Sequence, residues 1–243
     1  MKSVSSSVRA VLTTVCFVTA AALCLTACRK SDYSNTGNSE VSAVMAFNLV
    51  TDKPAIAITL SNNALTPGPL QYSAFTGGYL NIYSGGSIVQ AYDASNINTY
   101  LTNTAYTFNP GKYYSLFVVG ANNVYSNVIV PDNFDSLSAT SGQAYVRYIN
   151  AIPDSSNPRV TITANGTNVL DGNAHYTNVS AFTQVAPGSV TVNVTNDGSI
   201  QANRTITVEG QKAYTILLTG TPGNADSSKA VKIRFVENGR LTP

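Results

Sequence analysis

The chain has a single histidine, His175, among its 243 residues, so neither a histidine metal cluster nor a repeated acid–base pair can be assembled from it. His175 reads as an exposed loop residue. Glycan hydrolysis needs two carboxylates facing each other across a cleft, whereas Asp132, Asp135, Asp154 and Asp171 stand singly near expected turns, where Asp accepts from backbone N–H groups. No G-x-S-x-G elbow, phosphate-cradling glycine loop or H-E-x-x-H occurs. The loop Pro153-Asp154-Ser155-Ser156-Asn157-Pro158 is dense in oxygen ligands. It leaves two readings, a Ca²⁺ site or a plain Pro-Asp turn, and its spacing favours the turn. The expectation is therefore a chain without metal, cofactor or catalytic centre.

The chemistry on offer is aromatic. Nine of the fourteen tyrosines fall between Tyr72 and Tyr125. If Gly85-Gly86 is a two-residue hairpin loop, Tyr83 opposes Ile88, Asn81 opposes Gln90 and Tyr79 opposes Tyr92. Leu80, Ile82, Val89 and Ala91 then point to a core. Tyr79, Asn81, Tyr83, Gln90 and Tyr92 form the opposite, candidate binding face. Tyrosine combines a broad apolar ring, few rotatable bonds and a hydroxyl, which suits recognition of proteins or sugars. The same rings could instead pack against a second domain, or under an insertion of roughly 12 residues that the repeat alignment below places over Tyr92 to Asn103.

The chain opens with Lys2 and Arg9 around a serine-rich stretch, followed by an uncharged run from Ala10 to Ala27. This is the layout of an export signal. Leu25-Thr26-Ala27-Cys28 resembles the lipobox of bacterial lipoproteins, which implies cleavage after Ala27 and lipidation of Cys28. Cys16 and Cys24 would leave with the signal, residues 1–27. An uncut membrane helix is the alternative, since about 18 to 20 apolar residues can span a bilayer. In either case the rest of the chain faces outward, and the lipidated form would sit in the cell envelope, most readily at an outer membrane.

Loss of residues 1–27 removes Lys2 and Arg9 and no acid, leaving 12 basic residues against 12 acidic ones. A neutral exported chain gives no basic stripe for nucleic acid. Beyond Cys28 the sequence is rich in Val, Ile, Thr, Tyr, Asn, Ser and Gly and has no Trp. Period-two alternation recurs, as in Val190, Val192 and Val194 with Thr191, Asn193 and Thr195, or Val231, Ile233 and Phe235 with Lys232 and Arg234. Half-buried strands of antiparallel sheets follow. Residues 28–40 are polar and aperiodic, a flexible tether.

Self-comparison shows an internal repeat. Lys112-Tyr113-Tyr114-Ser115-Leu116-Phe117-Val118-Val119-Gly120 returns as Lys212-Ala213-Tyr214-Thr215-Ile216-Leu217-Leu218-Thr219-Gly220. Ser73-Ala74-Phe75-Thr76 matches Ser180-Ala181-Phe182-Thr183, and Phe47-Asn48 matches Ile149-Asn150. Two tandem domains follow, residues 41–141 and 142–243. Each carries seven or eight short strand candidates with turn dipeptides such as Asn165-Gly166 and Asp197-Gly198. The fold class is all-β, two tandem immunoglobulin-like antiparallel β-sandwich domains.

Three stretches of the second half carry a family resemblance: Ala144-Tyr145-Val146-Arg147-Tyr148-Ile149-Asn150-Ala151-Ile152-Pro153-Asp154, Val185 to Val192, and Gly210 to Gly220. They resemble the family called domain of unknown function 4397, with its V-R-x-x-N-A-x-P-D opening, P-G-x-Y-x-V middle and G-x-x-Y-T-hydrophobic-G close. Ser189-Val190 departs from the middle motif, and the first half departs from the opening. The resemblance implies small sandwiches on exported bacterial proteins and supplies no catalytic residues. Asp135-Ser136-Leu137 also resembles a short acceptor motif for O-glycosylation, which would modify Ser136. The functional expectation is a non-catalytic envelope lipoprotein that binds other proteins. Capture of glycans is the alternative.

Overall fold

The computed structural model describes residues 40–241 except Asp197. The expected signal peptide, Cys28 and the tether as far as residue 39 lie outside the described residues, as does Asp197 of the expected Asp197-Gly198 turn. Among the described residues, no helix is long and apolar enough to cross a membrane. Seventeen strands and two 3-10 turns, Phe134–Ser136 and Ala139–Ser141, make up the regular structure of the described residues.

The first nine strands are β1 (Val41–Val50), β2 (Ala55–Leu60), β3 (Asn63–Ala64), β4 (Leu70–Gln71), β5 (Leu80–Tyr83), β6 (Gly85–Asp93), β7 (Asn96–Phe108), β8 (Tyr113–Ala121) and β9 (Val124–Pro131). They form an inner sheet in the order β5-β1-β8-β9 and an outer sheet in the order β3-β2-β6-β7, with β4 added on β2. The second set is β10 (Ala144–Asn150), β11 (Arg159–Ala164), β12 (Thr167–Asn173), β13 (Thr183–Val185), β14 (Gly188–Thr195), β15 (Gln201–Val208), β16 (Lys212–Thr219) and β17 (Lys232–Arg240). Its inner sheet runs β13-β10-β16-β17 and its outer sheet β12-β11-β14-β15.

In the first repeat, Val44, Ala46, Leu116 and Val118 of the inner sheet pack on Ile56, Ile58, Val89 and Ala91 of the outer sheet. Val146, Ile216 and Leu218 meet Val160, Ile162, Val190, Val192 and Val194 likewise in the second. The other faces of the two inner sheets meet each other, with Met45, Phe47, Leu49, Phe117 and Val119 against Ile149, Ala151 and Leu217. The layers are thus outer, inner, inner, outer. This explains why β8 and β16, the clearest repeated segment, read as continuous apolar runs. Both of their faces are covered, so period two disappears there.

Several expectations need correction. The sheets are not purely antiparallel: β1 pairs in parallel with β8, and β10 with β16. These partners are far apart in sequence, so no tight turn dictates their direction, and coverage of both faces is the usual setting for parallel pairing. Gly85-Gly86 is not a hairpin loop. β5 pairs with β1, placing Tyr83 opposite Val41, whereas β6 pairs with β2 and β7. At Ser84 the chain crosses from inner to outer sheet, held by the Ser84 N–H on Glu40 O at 2.7 Å and the Ser42–Ser84 hydroxyl pair at 2.9 Å. Asn165-Gly166 does turn β11 into β12, with φ of 48° and 84°.

Backbone bonding also shifts the repeat alignment. Asn48 N and Ser73 N bond to Ala74 O and Asn48 O, and Asn150 N and Thr177 N bond to Asn178 O and Asn150 O in the same way. Thr76 Oγ1 accepts from Ala46 N where Ser180 Oγ accepts from Tyr148 N. Thr76 therefore corresponds to Ser180, and the match of Ser73–Thr76 with Ser180–Thr183 is three residues out of phase. The roughly 12-residue insertion is likewise absent. The β6–β7 hairpin spans 85–108 and its counterpart 188–208, and the small excess is absorbed in register shifts near Tyr92.

The matching elements carry shared anchors. Buried Asn48 and Asn150 each donate to a backbone carbonyl and accept the N–H two residues on. Tyr114 and Tyr214 each accept a backbone N–H from five residues upstream. Gly120 and Gly220 close the repeated segment at φ of 145° and 109°, where a Cβ would lie 2.4 and 2.2 Å from a backbone oxygen. Any larger residue would force the neighbouring backbone away.

Candidate functional site

Alternation along β10 sends Val146 and Tyr148 to the sandwich core and Tyr145, Arg147 and Ile149 to the opposite face, toward the first repeat. A guanidinium therefore lies inside the seam, with Arg147 2% exposed. An unpaired charge in that position would cost several kcal/mol. Asp132, 1% exposed and immediately after β9, supplies the counter-charge, with its Oδ1 2.6 Å from Arg147 Nη2.

A closed ring of hydrogen bonds surrounds the pair. Arg147 Nη2 donates to Ser115 Oγ at 2.7 Å, and Ser115 donates to Asp132 Oδ2 at 2.9 Å. Arg147 Nε donates to Thr215 Oγ1 at 3.0 Å, and Thr215 donates to Asn238 Oδ1 at 2.6 Å. Asn238 Nδ2 donates to the Tyr79 hydroxyl at 3.2 Å, and Tyr79 donates to Asp132 Oδ2. Each hydroxyl gives one bond and receives one. Tyr79, Ser115 and Asp132 come from the first repeat, and Arg147, Thr215 and Asn238 from the second. Ser115 and Thr215 are repeat equivalents. Asn238 reaches the ring because a bulge opposite Ala213 and Tyr214 adds it as an extra residue in β17. Phe182 covers the guanidinium from 4.4 Å. Burial, then the adjacent Asp132 charge, pushes the Tyr79 phenol far above its usual range, so it remains a donor.

Past this ring, where β1 and β8 begin, the inner face of the first repeat emerges from the seam. Register places Tyr83 opposite Val41, and both Asn81 and Tyr113 opposite Ala43. Tyr83 is 85% exposed, Tyr113 46% and Val41 38%. The strip runs into a groove of about 580 Å³ walled by Tyr79, Tyr113 and Phe134 on one side and Asn238, Gly239 and Arg240 on the other. Tyr79 meets Tyr113 edge-on at 5.1 Å and Phe134 at 5.9 Å. At the rim, Lys112 pairs with Asp135 at 2.5 Å in the open, where such pairs contribute little.

The five residues of the expected tyrosine face are therefore divided. Tyr79, Asn81 and Tyr83 share the inner face, with Tyr79 drawn into the seam. Gln90 and Tyr92 lie on the outer sheet of the same repeat, Tyr92 meeting Tyr100 edge-on at 6.5 Å. The chain changes sheet at Ser84 instead of turning in a Gly85-Gly86 hairpin, so these residues belong to two surfaces. Ser136 is exposed on the turn beside the groove, its Oγ donating to Asn133 O at 2.7 Å.

Asp132 does not cap a turn; its carboxylate holds the buried ring. Asp171 takes both arms of Arg159 at 2.6 Å, and Asp154 accepts from Ser156 N at 2.7 Å in a local turn. His175 Nδ1 lies 2.9 Å from Asn157 Oδ1. No group of three or more potential metal ligands from His, Cys, Asp and Glu occurs among the described residues. Sequence reasoning missed Arg147, Ser115, Thr215 and Asn238 as a set. A charge inside the otherwise uncharged run Ala144 to Asn150 was the available signal, since Met45 stands at its place in the first repeat.

The family described as "Domain of unknown function (DUF4397)" matches the chain twice, over residues 42–157 and 144–239. No curated protein matches it. Among solved structures, a Bacteroides uniformis protein assigned provisionally to cell adhesion aligns over 82% of this chain and 100% of its own, at 10% identity and a TM-score of 0.25. CBMbc, a family CBM26 module from Eubacterium rectale Amy13K solved with maltoheptaose, aligns over 84% and 98%, at 13% identity and a TM-score of 0.23. A Bacteroides eggerthii protein with the same provisional assignment gives 9% identity over 83% and 96%, with a TM-score of 0.18. Overlaps this slight say nothing of what the chain binds.

Replacing Arg147 by Ala strands the Asp132 carboxylate, and urea denaturation is expected to show a loss of about 3–5 kcal/mol. The double change Arg147→Met/Asp132→Asn should recover a large part of that loss; a double variant as unstable as Arg147→Ala would contradict the pairing. Tyr176, half-buried beside the seam, has its phenol pushed up to about 12 by burial, and its enclosed hydroxyl has no partner. A raised folded pKa means that its contribution to stability is whole below the unfolded value of about 10 and disappears as pH climbs toward 12. Tyr176→Phe should therefore leave stability at pH 7 nearly unchanged and reduce the alkaline loss, as measured by melting temperature from pH 8 to 12.

Proposed function

This chain belongs to the DUF4397 family, a domain of unknown function, and on that footing we propose that it is a non-catalytic envelope lipoprotein presenting a rigid binding unit to other proteins, in adhesion or envelope assembly. In this reading residues 1–27 are a signal peptide, Cys28 carries the lipid at the outer membrane, and residues 29–40 are the tether. Residues 41–141 and 142–243 are two immunoglobulin-like modules.

The observation that carries the reading is the tyrosine strip, Tyr83, Val41, Asn81 and Tyr113, whose Tyr113 end lines the groove at the seam. Tyrosine rings give contact area at low entropic cost, and here they project from a sheet whose central strands, β1 and β8, are buried on both faces. A second reading, glycan capture, is favoured by the groove itself. Its volume falls within the range of small-ligand clefts, and three rings line one wall.

The test is a pulldown from envelope extract together with a glycan array, each run with the native chain and with Tyr83→Ala/Tyr113→Ala. Both side chains are substantially exposed, so the variant should melt within a few degrees of the native chain. We expect a specific protein captured by the native chain to be lost with the variant. Glycan binding lost in its place would establish the second reading, and ligands retained equally by the variant would refute both.

A further inference from the structure

A second notch opens along the seam and shares no residue with the tyrosine groove. Ser73 and Phe75 of the first repeat line it, with Arg204, Arg234 and Phe235 of the second, around about 220 Å³. That space holds one functional group with part of its ring, not a whole ligand. Arg234 pairs with Leu217 across the β16–β17 ladder and projects from the inner face of this edge strand. It is exposed, and neither it nor Arg204 forms an ion pair among the described residues. No carboxylate lines the notch among the described residues. The hydroxyl of Ser73, on the first-repeat side of the lining, is buried without a hydrogen-bond partner. Buried polar atoms are rarely left unpaired, and a notch that combines one with two guanidinium groups free of ion pairs calls for a ligand that carries negative charge.

We propose that this notch takes the oxyanion, carboxylate or sulfate, of an acidic saccharide. The arginines supply planar donor forks for it, and Ser73 supplies a further donor. The Phe75 ring, which lines the notch from the first repeat, offers flat apolar surface to the sugar ring that bears it. Arg204 lies over Phe235 at 5.1 Å, and its Nη1 donates to Ile233 O at 2.9 Å, occupying a carbonyl on the edge of β17. An extended peptide would need that edge to add a strand, so this contact disfavours one there. This inference stands apart from the proposed protein-binding strip.

Calorimetric titration of the full chain tests it, with trigalacturonate and a sulfated disaccharide as the two oxyanion sources, and maltotriose, inorganic sulfate and a triglutamate peptide as controls. At least one acidic saccharide should bind, and the one that does identifies the source. Maltotriose should give no heat of binding, and sulfate ion and triglutamate should bind more weakly than the saccharide. Arg234→Gln should weaken binding about tenfold, the scale of one charge-assisted contact, at an unchanged melting temperature. Ser73→Ala, which removes a hydroxyl with no partner to lose, should also weaken it. The proposal is overturned if neither acidic saccharide binds, if either variant binds as tightly as the native chain, or if a control binds as tightly as the saccharide. Failure here would leave the Tyr83/Tyr113 result untouched.

Discussion

A guanidinium held between two β-sheets cannot stand alone, and most of the seam is arranged around that constraint. Removing Arg147 from water demands an anion within contact distance and acceptors for its remaining N–H groups. Asp132 meets the first demand, so the chain leaving β9 must turn where its carboxylate points inward. Ser115 and Thr215 meet the second, from equivalent places in the two repeats. Asp132 then needs donors of its own, which brings Tyr79 into the seam and explains why the expected binding face lost that residue. Two sandwiches with adequate cores are thereby joined through groups that neither could bury separately.

The apolar part of the seam has the same consequence by a different route. Phe47 stacks between Phe75 and Phe117, and the cluster continues into Ile149 and Leu217 of the other repeat. Burial of this surface would drive many relative placements of the two inner sheets, because hydrophobic contact is non-directional. The hydrogen-bond ring selects one of them. Its asymmetry matters, since Met45 stands where the second repeat has Arg147, so the repeats are complementary at the seam and not interchangeable.

What the sequence disclosed follows from how local each signal is. Alternation in Val190 to Thr195, the Asn165-Gly166 turn and the recurrence of residues 112–120 at 212–220 are short-range patterns, and they led to an all-β tandem chain. Strand partners depend on contacts between distant segments. Thus the parallel β1–β8 pair was not legible, and neither was the crossing at Ser84, where a glycine pair imitates a hairpin. The tyrosine face was half legible. Tyr79, Asn81 and Tyr83 share a surface because they alternate within one strand run, whereas Gln90 and Tyr92 were added through a turn that does not exist. The Arg147 ring uses residues spread from 79 to 238, and only the misplaced charge in an apolar run hinted at it.

A strip of tyrosines presents a fixed surface only if the strands that bear it are fixed, and here those strands belong to the same inner sheet that forms the seam. The account therefore rests on the two repeats behaving as one body. Differential scanning calorimetry of the full chain tests this most directly, by comparing the calorimetric enthalpy of unfolding with the van't Hoff enthalpy. One transition with the two enthalpies equal is the predicted result. Two separable transitions, one for each sandwich, would contradict it.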